Sequence, residues 1–257
     1  MNHPAESFAM RDPRTQTDRD REYLSGLQRY FPRSLGTDVD KLRTFSKYVP
    51  RQDLSILLAK NDVFRQVIDV HGAIIECGVY LGGGLMTWAQ LSAIYEPYNH
   101  NRRVLGFDTF TGFSDVGAND SSGTENPQAH VGGLSAPAYE DLQECIRLYD
   151  LNRPLGHVTR VNLVQGDATL TIPGYVQDNR HLVVALLYLD FDVYEATKVA
   201  IETFLPRMPK GAVIAFDELN QSAWPGETLA AMDAVGLRNL RIRRFPYTPS
   251  ICYAVLD

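Results

Sequence analysis

The sequence has 257 residues, of which 44% are hydrophobic and 22% are charged, and its formal net charge is −6. These fractions are ordinary for a soluble globular protein, and the length suits one α/β domain. The negative charge argues against nucleic acid as the main partner, because proteins that bind nucleic acid usually present a basic surface. No apolar run is long enough to span a bilayer, so we expect no membrane partner.

The N-terminal segment, residues 1–20, is polar, charged and contains proline, which predicts a flexible arm. It lacks the apolar core of a signal peptide. The three cysteines, Cys77, Cys145 and Cys252, are far apart and follow no metal-binding spacing. Together these features predict a cytoplasmic protein with reduced thiols.

The rest of the chain, residues 21–257, is predicted to form a single domain. Over residues 21–70 the apolar side chains recur at helical spacing, which predicts a helical prelude to a sheet core over 71–257. Such a prelude can shape a substrate pocket or form a dimer face. A homo-oligomer is therefore possible, and the acceptor pocket and the dimer face remain alternatives for this segment.

The first core strand, AIIE, ends at Glu76 and is followed by a glycine-rich turn with Gly78, Gly82 and Gly84 before a helix over 85–95. Glycines at this position let the backbone approach a ligand and expose the amides of the helix N-terminus. The spacing differs from G-x-G-x-x-G and is nearer the ExGxxxG turn of methyltransferases that bind S-adenosylmethionine. Taken alone, such a turn is better explained as a tight strand-to-helix connection.

Two further predicted strands also end beside an acidic residue. The strand over 103–108 ends in Asp108, where an acid commonly accepts hydrogen bonds from ribose hydroxyls, although it can also cap a turn. The strand over 158–166 is followed by Asp167, for which contact with an adenine amino group and capping of the next helix are equally good interpretations. Between these strands, residues 109–137 form a Gly/Ser/Asn-rich segment whose length is typical of active-site loops.

The stretch around residues 182–189 is a continuous apolar run, typical of a strand that is covered on both faces. It ends in two carboxylates, Asp190 and Asp192. Ligands of open α/β sheets bind outside the carboxyl ends of the strands, so both acids are expected at the functional edge.

The same pattern recurs at residues 212–216, which are followed by Asp217 and Glu218. Two neighbouring strands would therefore bring four carboxylates to one edge of the sheet. That density of negative charge predicts a divalent cation, and a donor set made only of oxygen suits Mg²⁺. The alternative is that these acids cap helices or pair with arginines.

The order of these elements resembles a class I methyltransferase. More narrowly, the motifs ECGVYLGGG, FDTFTGF, LDFDVYEAT and PKGAVIAFDEL resemble the macrocin and mycinamicin sugar O-methyltransferases over roughly residues 50–235. The resemblance implies an α/β fold with a Rossmann-like, mostly parallel sheet. It also implies a C-terminal antiparallel strand, for which residues 240–245 and 251–256 are the candidate pair.

The resemblance also implies roles for individual residues. Asp192 would be the general base on a sugar hydroxyl, and Asp190, Asp217 and Glu218 would bind Mg²⁺. The residues that would bind S-adenosylmethionine are Glu76, Gly78, Tyr80, Gly82, Asp108 and Asp167.

We therefore predict a methyltransferase of natural product biosynthesis that uses S-adenosylmethionine and Mg²⁺. Its partner would be a small-molecule hydroxyl acceptor, a sugar or a glycoside. The family usually carries two aspartates where this chain has Asp217 and Glu218, and a small residue in place of Phe191, so the acceptor stays open. Two alternatives are a metal-dependent hydroxylase or hydrolase on the same core, and a non-catalytic module that binds the cofactor.

Overall fold

The computed structural model describes residues 17–121 and 126–257. The chain divides into two compact units, one up to Leu54 and one from Ser55 onward. No helix within the described residues is long and apolar enough to cross a lipid bilayer. A compact unit need not fold independently, so this division does not test whether residues 21–257 form a single domain, and the single domain stays a prediction.

The first unit is helical, as the spacing of its apolar residues predicts. It contains α1 (Asp18–Arg33), α2 (Asp38–Arg43) and the first residues of α3 (Arg51–Gln66). Thr17 and Thr37 begin α1 and α2 with capping boxes, in which each threonine and an aspartate three residues later bond to each other's backbone N–H. Most of the predicted arm lies outside the described residues, and residues 18–20 at its end belong to α1.

The second unit is built on a seven-stranded sheet. Its strands are β1 (Ala73–Cys77), β2 (Val104–Asp108), β3 (Val161–Gln165), β4 (Val184–Leu189), β5 (Val213–Phe216), β6 (Arg243–Arg244) and β7 (Cys252–Val255). Its further helices are α4 (Gly83–Tyr95), α5 (Tyr139–Leu151), α6 (Ala168–Asp178), α7 (Tyr194–Phe204) and α8 (Pro225–Ala234). The strand order is β3-β2-β1-β4-β5-β7-β6, with β1 to β5 parallel and β7 antiparallel to both its neighbours. The predicted fold is confirmed.

The sheet separates two hydrophobic cores because side chains alternate along each strand. In β4, Leu186 and Tyr188 pack into one core, and Leu187 and Leu189 pack into the other. Burying each of these leucines contributes about 1.5–3 kcal/mol. All six residues of β4 are buried, which explains why this strand has no polar alternation.

The last predicted strand pair is shorter than its sequence pattern suggested. Residues 240–245 were predicted as a strand, but β6 contains only Arg243 and Arg244. Both are exposed at the edge of the sheet, and Pro246 follows closely without an N–H to donate. The predicted third strand over 158–166 is likewise reduced to β3.

The strand order creates a crevice at the carboxyl ends of the central strands. β1 lies between β2 and β4, so the connections after β1 and β4 leave the sheet in opposite directions. Leu189 is in register with Cys77 on one side and with Phe216 on the other. The residues that follow, Gly78, Asp190 and Asp217, therefore leave the sheet at the same level.

Candidate active site

The glycine turn after β1 lies directly against the end of β4. The backbone N–H of Asp190 donates to the carbonyl oxygen of Cys77 at 2.8 Å. Gly78 has a φ of 91°, and a Cβ at this position would lie 1.9 Å from the carbonyl oxygen of Asp190. Only glycine fits this approach, which joins the predicted cofactor turn to the predicted metal-binding segment.

The same turn opens the N-terminus of α4. Gly82 is the N-cap in a left-handed conformation and supplies no side-chain cap, so the first amides of α4 are available to an anionic group. A Cβ on Gly82 would meet Leu142, whereas a Cβ on Gly83 would have no atom within 4 Å. Tyr80, in the same turn, also has a positive φ and is exposed. The cradle fits the carboxylate end of an amino-acid-bearing cofactor.

Substituting Gly78 tests whether this approach matters. In Gly78→Ala the left-handed backbone alone should cost about 1–2 kcal/mol of unfolding free energy, and the clash with Asp190 adds to it. We also expect weaker binding of S-adenosylmethionine. The measurements are urea unfolding and calorimetric titration. The matched control for stability is Gly83→Ala, whose free energy of unfolding should stay within about 0.5 kcal/mol of the wild type because its Cβ would have no atom within 4 Å. Equal free energies of unfolding for the two variants would contradict the close approach.

Asp108 at the end of β2 holds the glycine turn in place. Its Oδ2 accepts hydrogen bonds from the backbone N–H groups of Val79 at 2.7 Å and Tyr80 at 2.8 Å, and its Oδ1 accepts from Phe110 at 2.6 Å. The turn-capping alternative is therefore observed. A carboxylate oxygen has two lone pairs, so Oδ1 can still accept a bond from a ribose hydroxyl, as the sequence predicts.

Asp167 caps α6. Its Oδ1 accepts hydrogen bonds from the backbone N–H of Thr169 at 2.9 Å and from the Thr169 hydroxyl at 2.7 Å. Burial alone would raise the pKa of Asp167, but the hydrogen bonds from Thr169 and Ser114 together outweigh burial and lower the pKa below its usual value. Of the two interpretations of this residue, helix capping is observed and contact with adenine stays a prediction.

Glu76 lies inside the protein rather than on the surface of the crevice. It is only 1% exposed, and its Oε1 accepts a hydrogen bond from Nζ of Lys60 at 2.8 Å. Burial raises the pKa of Glu76, and the positive charge of Lys60 opposes that shift. Lys60 also lies over the rings of Tyr188, at 3.9 Å from the centroid, and Trp88, at 4.9 Å. A cofactor contact by Glu76 stays a prediction, and its observed role is to anchor the ion pair.

Lys60 was not among the predicted site residues, although the sequence contains a signal for it. Lys60 shares one face of α3 with Val63 and Phe64, at helical spacings of three and four, and all three are buried. A lysine in such an apolar stripe needs a buried anion. The acid at the end of the first strand was the available candidate.

The acids after β4 and β5 are largely withdrawn from solvent. Asp192 is 7% exposed and has a φ of 64°, a left-handed conformation that is uncommon for a residue other than glycine. Asp217 is 1% exposed, and its Oδ1 accepts a hydrogen bond from the hydroxyl of Tyr188 at 2.5 Å. Asp190 and Glu218 are half-buried. Non-glycine residues with strained backbones cluster at active sites.

A further acid, Glu227 in the first turn of α8, completes this group, and sequence reasoning did not assign it a role. It is 0% exposed, its Oε1 accepts a hydrogen bond from the backbone N–H of Glu218 at 2.9 Å, and its Oε2 has no partner among the described residues. Burial raises its pKa strongly; the bond from Glu218 opposes this, while the charges of Asp217, Glu218 and Asp190 add to it. These acids therefore share one electronegative region.

The donor chemistry of this region fits Mg²⁺, because every candidate ligand is an oxygen and a buried carboxylate oxygen of Glu227 has no partner in the part of the chain that the structure describes. The positions of these side chains, however, do not yet form a metal site. Within residues 17–121 and 126–257, no three side chains of His, Cys, Asp or Glu stand in an arrangement that could hold a metal ion. Asp190, Asp217 and Glu218 therefore follow neighbouring strand ends, as the sequence predicts, but their side chains are not arranged around a common point where an ion could bind.

Known proteins resemble this chain over most of its length. The family model described as macrocin-O-methyltransferase (TylF) matches residues 33–234. The chain belongs to the macrocin-O-methyltransferase (TylF) family. The crystal structure of CalS11, a calicheamicin methyltransferase, is 35% identical, with a TM-score of 0.89 and coverage of 97% of this chain and 98% of that one. The apo structure of CalS11, described as a TDP-rhamnose 3'-O-methyltransferase, is 33% identical, with a TM-score of 0.80 and coverage of 98% and 99%.

A curated relative extends the comparison. An enzyme of Streptomyces olivaceus, 8-demethyl-8-(2,3-dimethoxy-alpha-L-rhamnosyl)-tetracenomycin-C 4'-O-methyltransferase, is 27% identical over 58% of this chain. The chain spans about half the length of the curated relatives it matches, 53% in this case. The predicted resemblance to sugar O-methyltransferases and the predicted methyltransferase class are confirmed at the level of the family.

Proposed function

We propose that this protein is an S-adenosylmethionine-dependent O-methyltransferase that acts on a hydroxyl of a sugar or a glycosylated small molecule. The observation that carries the proposal is the junction of Gly78 with Asp190. It joins the cofactor-type turn after β1 to the segment with the buried Asp192. Membership of the TylF family supports the reaction class.

For the acceptor, we infer a deoxysugar of the rhamnose type, carried either on a nucleoside diphosphate or on an aglycone. The name of CalS11 specifies TDP-rhamnose, and that structure matches this chain over almost its whole length. The name of the tetracenomycin relative specifies a rhamnosyl group. The shared element is the sugar, so the inference concerns the sugar and leaves its carrier open.

The residues of the crevice can perform this reaction in defined roles. Bound S-adenosylmethionine supplies an electrophilic methyl group. Asp192 would accept the proton of the attacking hydroxyl, and its burial limits competition from water. A carboxylate is a weak base for a sugar hydroxyl, and a divalent cation at that oxygen would lower the pKa of the hydroxyl. Asp190, Asp217 and Glu218 would hold this cation.

Removing a proposed metal ligand tests the cation directly. Asp190→Ala should weaken Mg²⁺ binding at least about 10-fold and lower methyl transfer in parallel. The measurement is calorimetric titration with Mg²⁺, with turnover assayed alongside. Glu144→Gln is the control, because Glu144 is an exposed acid on α5 that pairs with Arg147 three residues later. Full activity of the wild type in the presence of a chelator would remove Mg²⁺ from the proposal.

Calorimetric titration with S-adenosylmethionine, with and without Mg²⁺, tests the proposed cofactor. We expect micromolar binding, which corresponds to about −8 kcal/mol. This result would argue against a hydroxylase or hydrolase, which has no need for this cofactor. No binding under either condition would overturn the methyltransferase proposal.

A further inference from the structure

We propose that Asp120 is a positioning residue for methyl transfer, because its carboxylate caps α7 and thereby fixes the main chain that carries Asp192. The inference rests on the proposed function, since it takes Asp192 as the proton acceptor. Asp120 lies in the long segment after β2, remote in sequence from the acids after β4.

The need for such a cap follows from the start of α7. Val193 is its N-cap residue and has no side chain that can bond to the first-turn amides. Asp120 supplies the missing acceptor, because its Oδ1 accepts a buried hydrogen bond of 2.6 Å from the backbone N–H of Tyr194. A carboxylate at this end of the helix is also favoured by the helix dipole.

Asp120 is itself held firmly. It is 5% exposed, and its Oδ2 accepts a hydrogen bond from the backbone N–H of Gly117 at 2.7 Å. Each carboxylate oxygen therefore bonds to a different backbone segment. The side chain joins the long segment after β2 to the first turn of α7.

The start of α8 packs against the contact between Asp120 and the backbone of Tyr194, and this contact is called the junction below. A Cβ on Gly226 would lie 2.2 Å from Oδ1 of Asp120, 2.6 Å from the backbone nitrogen of Tyr194 and 2.9 Å from the carbonyl oxygen of Asp192. Position 226 therefore has no room for a side chain. The segments that follow β2, β4 and β5 meet at one point, next to the proposed base.

The consequence for Asp192 comes from its backbone. A left-handed, non-glycine residue costs free energy and persists only where the surrounding structure holds it. The bonds that hold this turn include one from the Val193 N–H to the carbonyl oxygen of Phe191, at 2.7 Å, and the bond from the Tyr194 N–H to Asp120. Without Asp120 the turn can relax, and a displacement of the base by about 1 Å can lower the rate about 100-fold.

The test compares Asp120→Ala with Asp120→Asn. The alanine variant removes both bonds and should lower kcat about 100-fold, with the affinity for S-adenosylmethionine nearly unchanged. The asparagine variant keeps an oxygen for Tyr194 and loses only the bond from Gly117, so it should restore most of the activity. Asp178→Ala, which removes an exposed aspartate at the end of α6, is the control and should match the wild type.

Hydrogen exchange at the Tyr194 amide gives a readout that is independent of activity. It should become faster in Asp120→Ala and stay slow in Asp120→Asn. If Asp120→Ala does not fold, Gly226→Ala crowds the same junction and should also lower kcat with little effect on cofactor affinity.

The outcomes separate this inference from the proposed function. If the wild type transfers methyl groups and Asp120→Ala keeps the wild-type kcat, the inference is overturned and the proposed function stands. A parallel loss of kcat and cofactor affinity in both Asp120 variants would also overturn it, because that pattern indicates general damage to the fold. If the wild type transfers no methyl group but Tyr194 exchange responds as expected, the cap stands and the proposed function fails.

Discussion

Asp192→Asn is expected to lower methyl transfer by about 10²–10⁴-fold while leaving the affinity for S-adenosylmethionine nearly unchanged. Asparagine has the same shape as aspartate but cannot accept the proton of the acceptor hydroxyl. It also tolerates the left-handed backbone of position 192, so the turn after β4 should be preserved. The measurement is kcat under saturating substrates, together with calorimetric titration of the cofactor.

The control for this prediction is Asp192→Ala, which removes the carboxylate and also disfavours the left-handed turn. It should be less stable than Asp192→Asn while being equally inactive. Normal turnover by the asparagine variant would show that Asp192 is not the base.

Lys60→Met is expected to lower the free energy of unfolding by about 3–5 kcal/mol at neutral pH, because it leaves the carboxylate of Glu76 buried without its cation. Methionine is a flexible apolar side chain that can still pack against Trp88 and Tyr188. The loss of stability should therefore come mainly from the unpaired charge and less from altered packing. Urea unfolding measures the free energy of unfolding of the variant and the wild type.

The sign of the pH dependence follows from Glu76. Burial raises its pKa in the folded protein, and loss of Lys60 removes the opposing interaction, so the pKa rises further. An acid with a raised pKa stabilises the fold below its unfolded pKa of about 4.3 and loses that contribution as the pH rises. The deficit of Lys60→Met relative to wild type should thus be small near that pH and grow toward neutrality.

The double variant Lys60→Met with Glu76→Gln provides the control. It removes both charges, so it should recover part of the lost stability and should show little of the pH dependence. A deficit in Lys60→Met that stays constant with pH would contradict the assignment of the loss to the buried carboxylate.

The strand ends that form the crevice could be predicted from the sequence because they depend on local patterns. A continuous apolar run identifies β4 as a strand covered on both faces, and parallel strands end at one edge of a sheet. The positions of Asp190 and Asp217 at this edge of the sheet could therefore be predicted from the sequence. For Asp108 and Asp167 the sequence left two roles open, and the capping alternative is the one observed for each.

The remaining parts of the site depend on contacts that no local spacing encodes. The bond from Tyr194 to Asp120 joins residues 74 positions apart, and a sequence pattern in either segment does not indicate the other. Glu227 could be recognised as an acid at a helix start, but its burial against Glu218 depends on the packing of α8. The arrangement of the acids around a cation depends on side-chain rotamers, which the periodicity of a strand does not fix.

The most direct test of the central claim is transfer of a labelled methyl group from S-adenosylmethionine. The acceptors would be TDP-rhamnose and a rhamnosyl glycoside, and the products would be analysed by mass spectrometry. We predict that the label appears on a sugar oxygen with at least one of the two acceptors, and that Asp192→Asn abolishes it. Binding of S-adenosylmethionine without transfer to either acceptor would contradict the claim that this protein methylates a rhamnose-type hydroxyl.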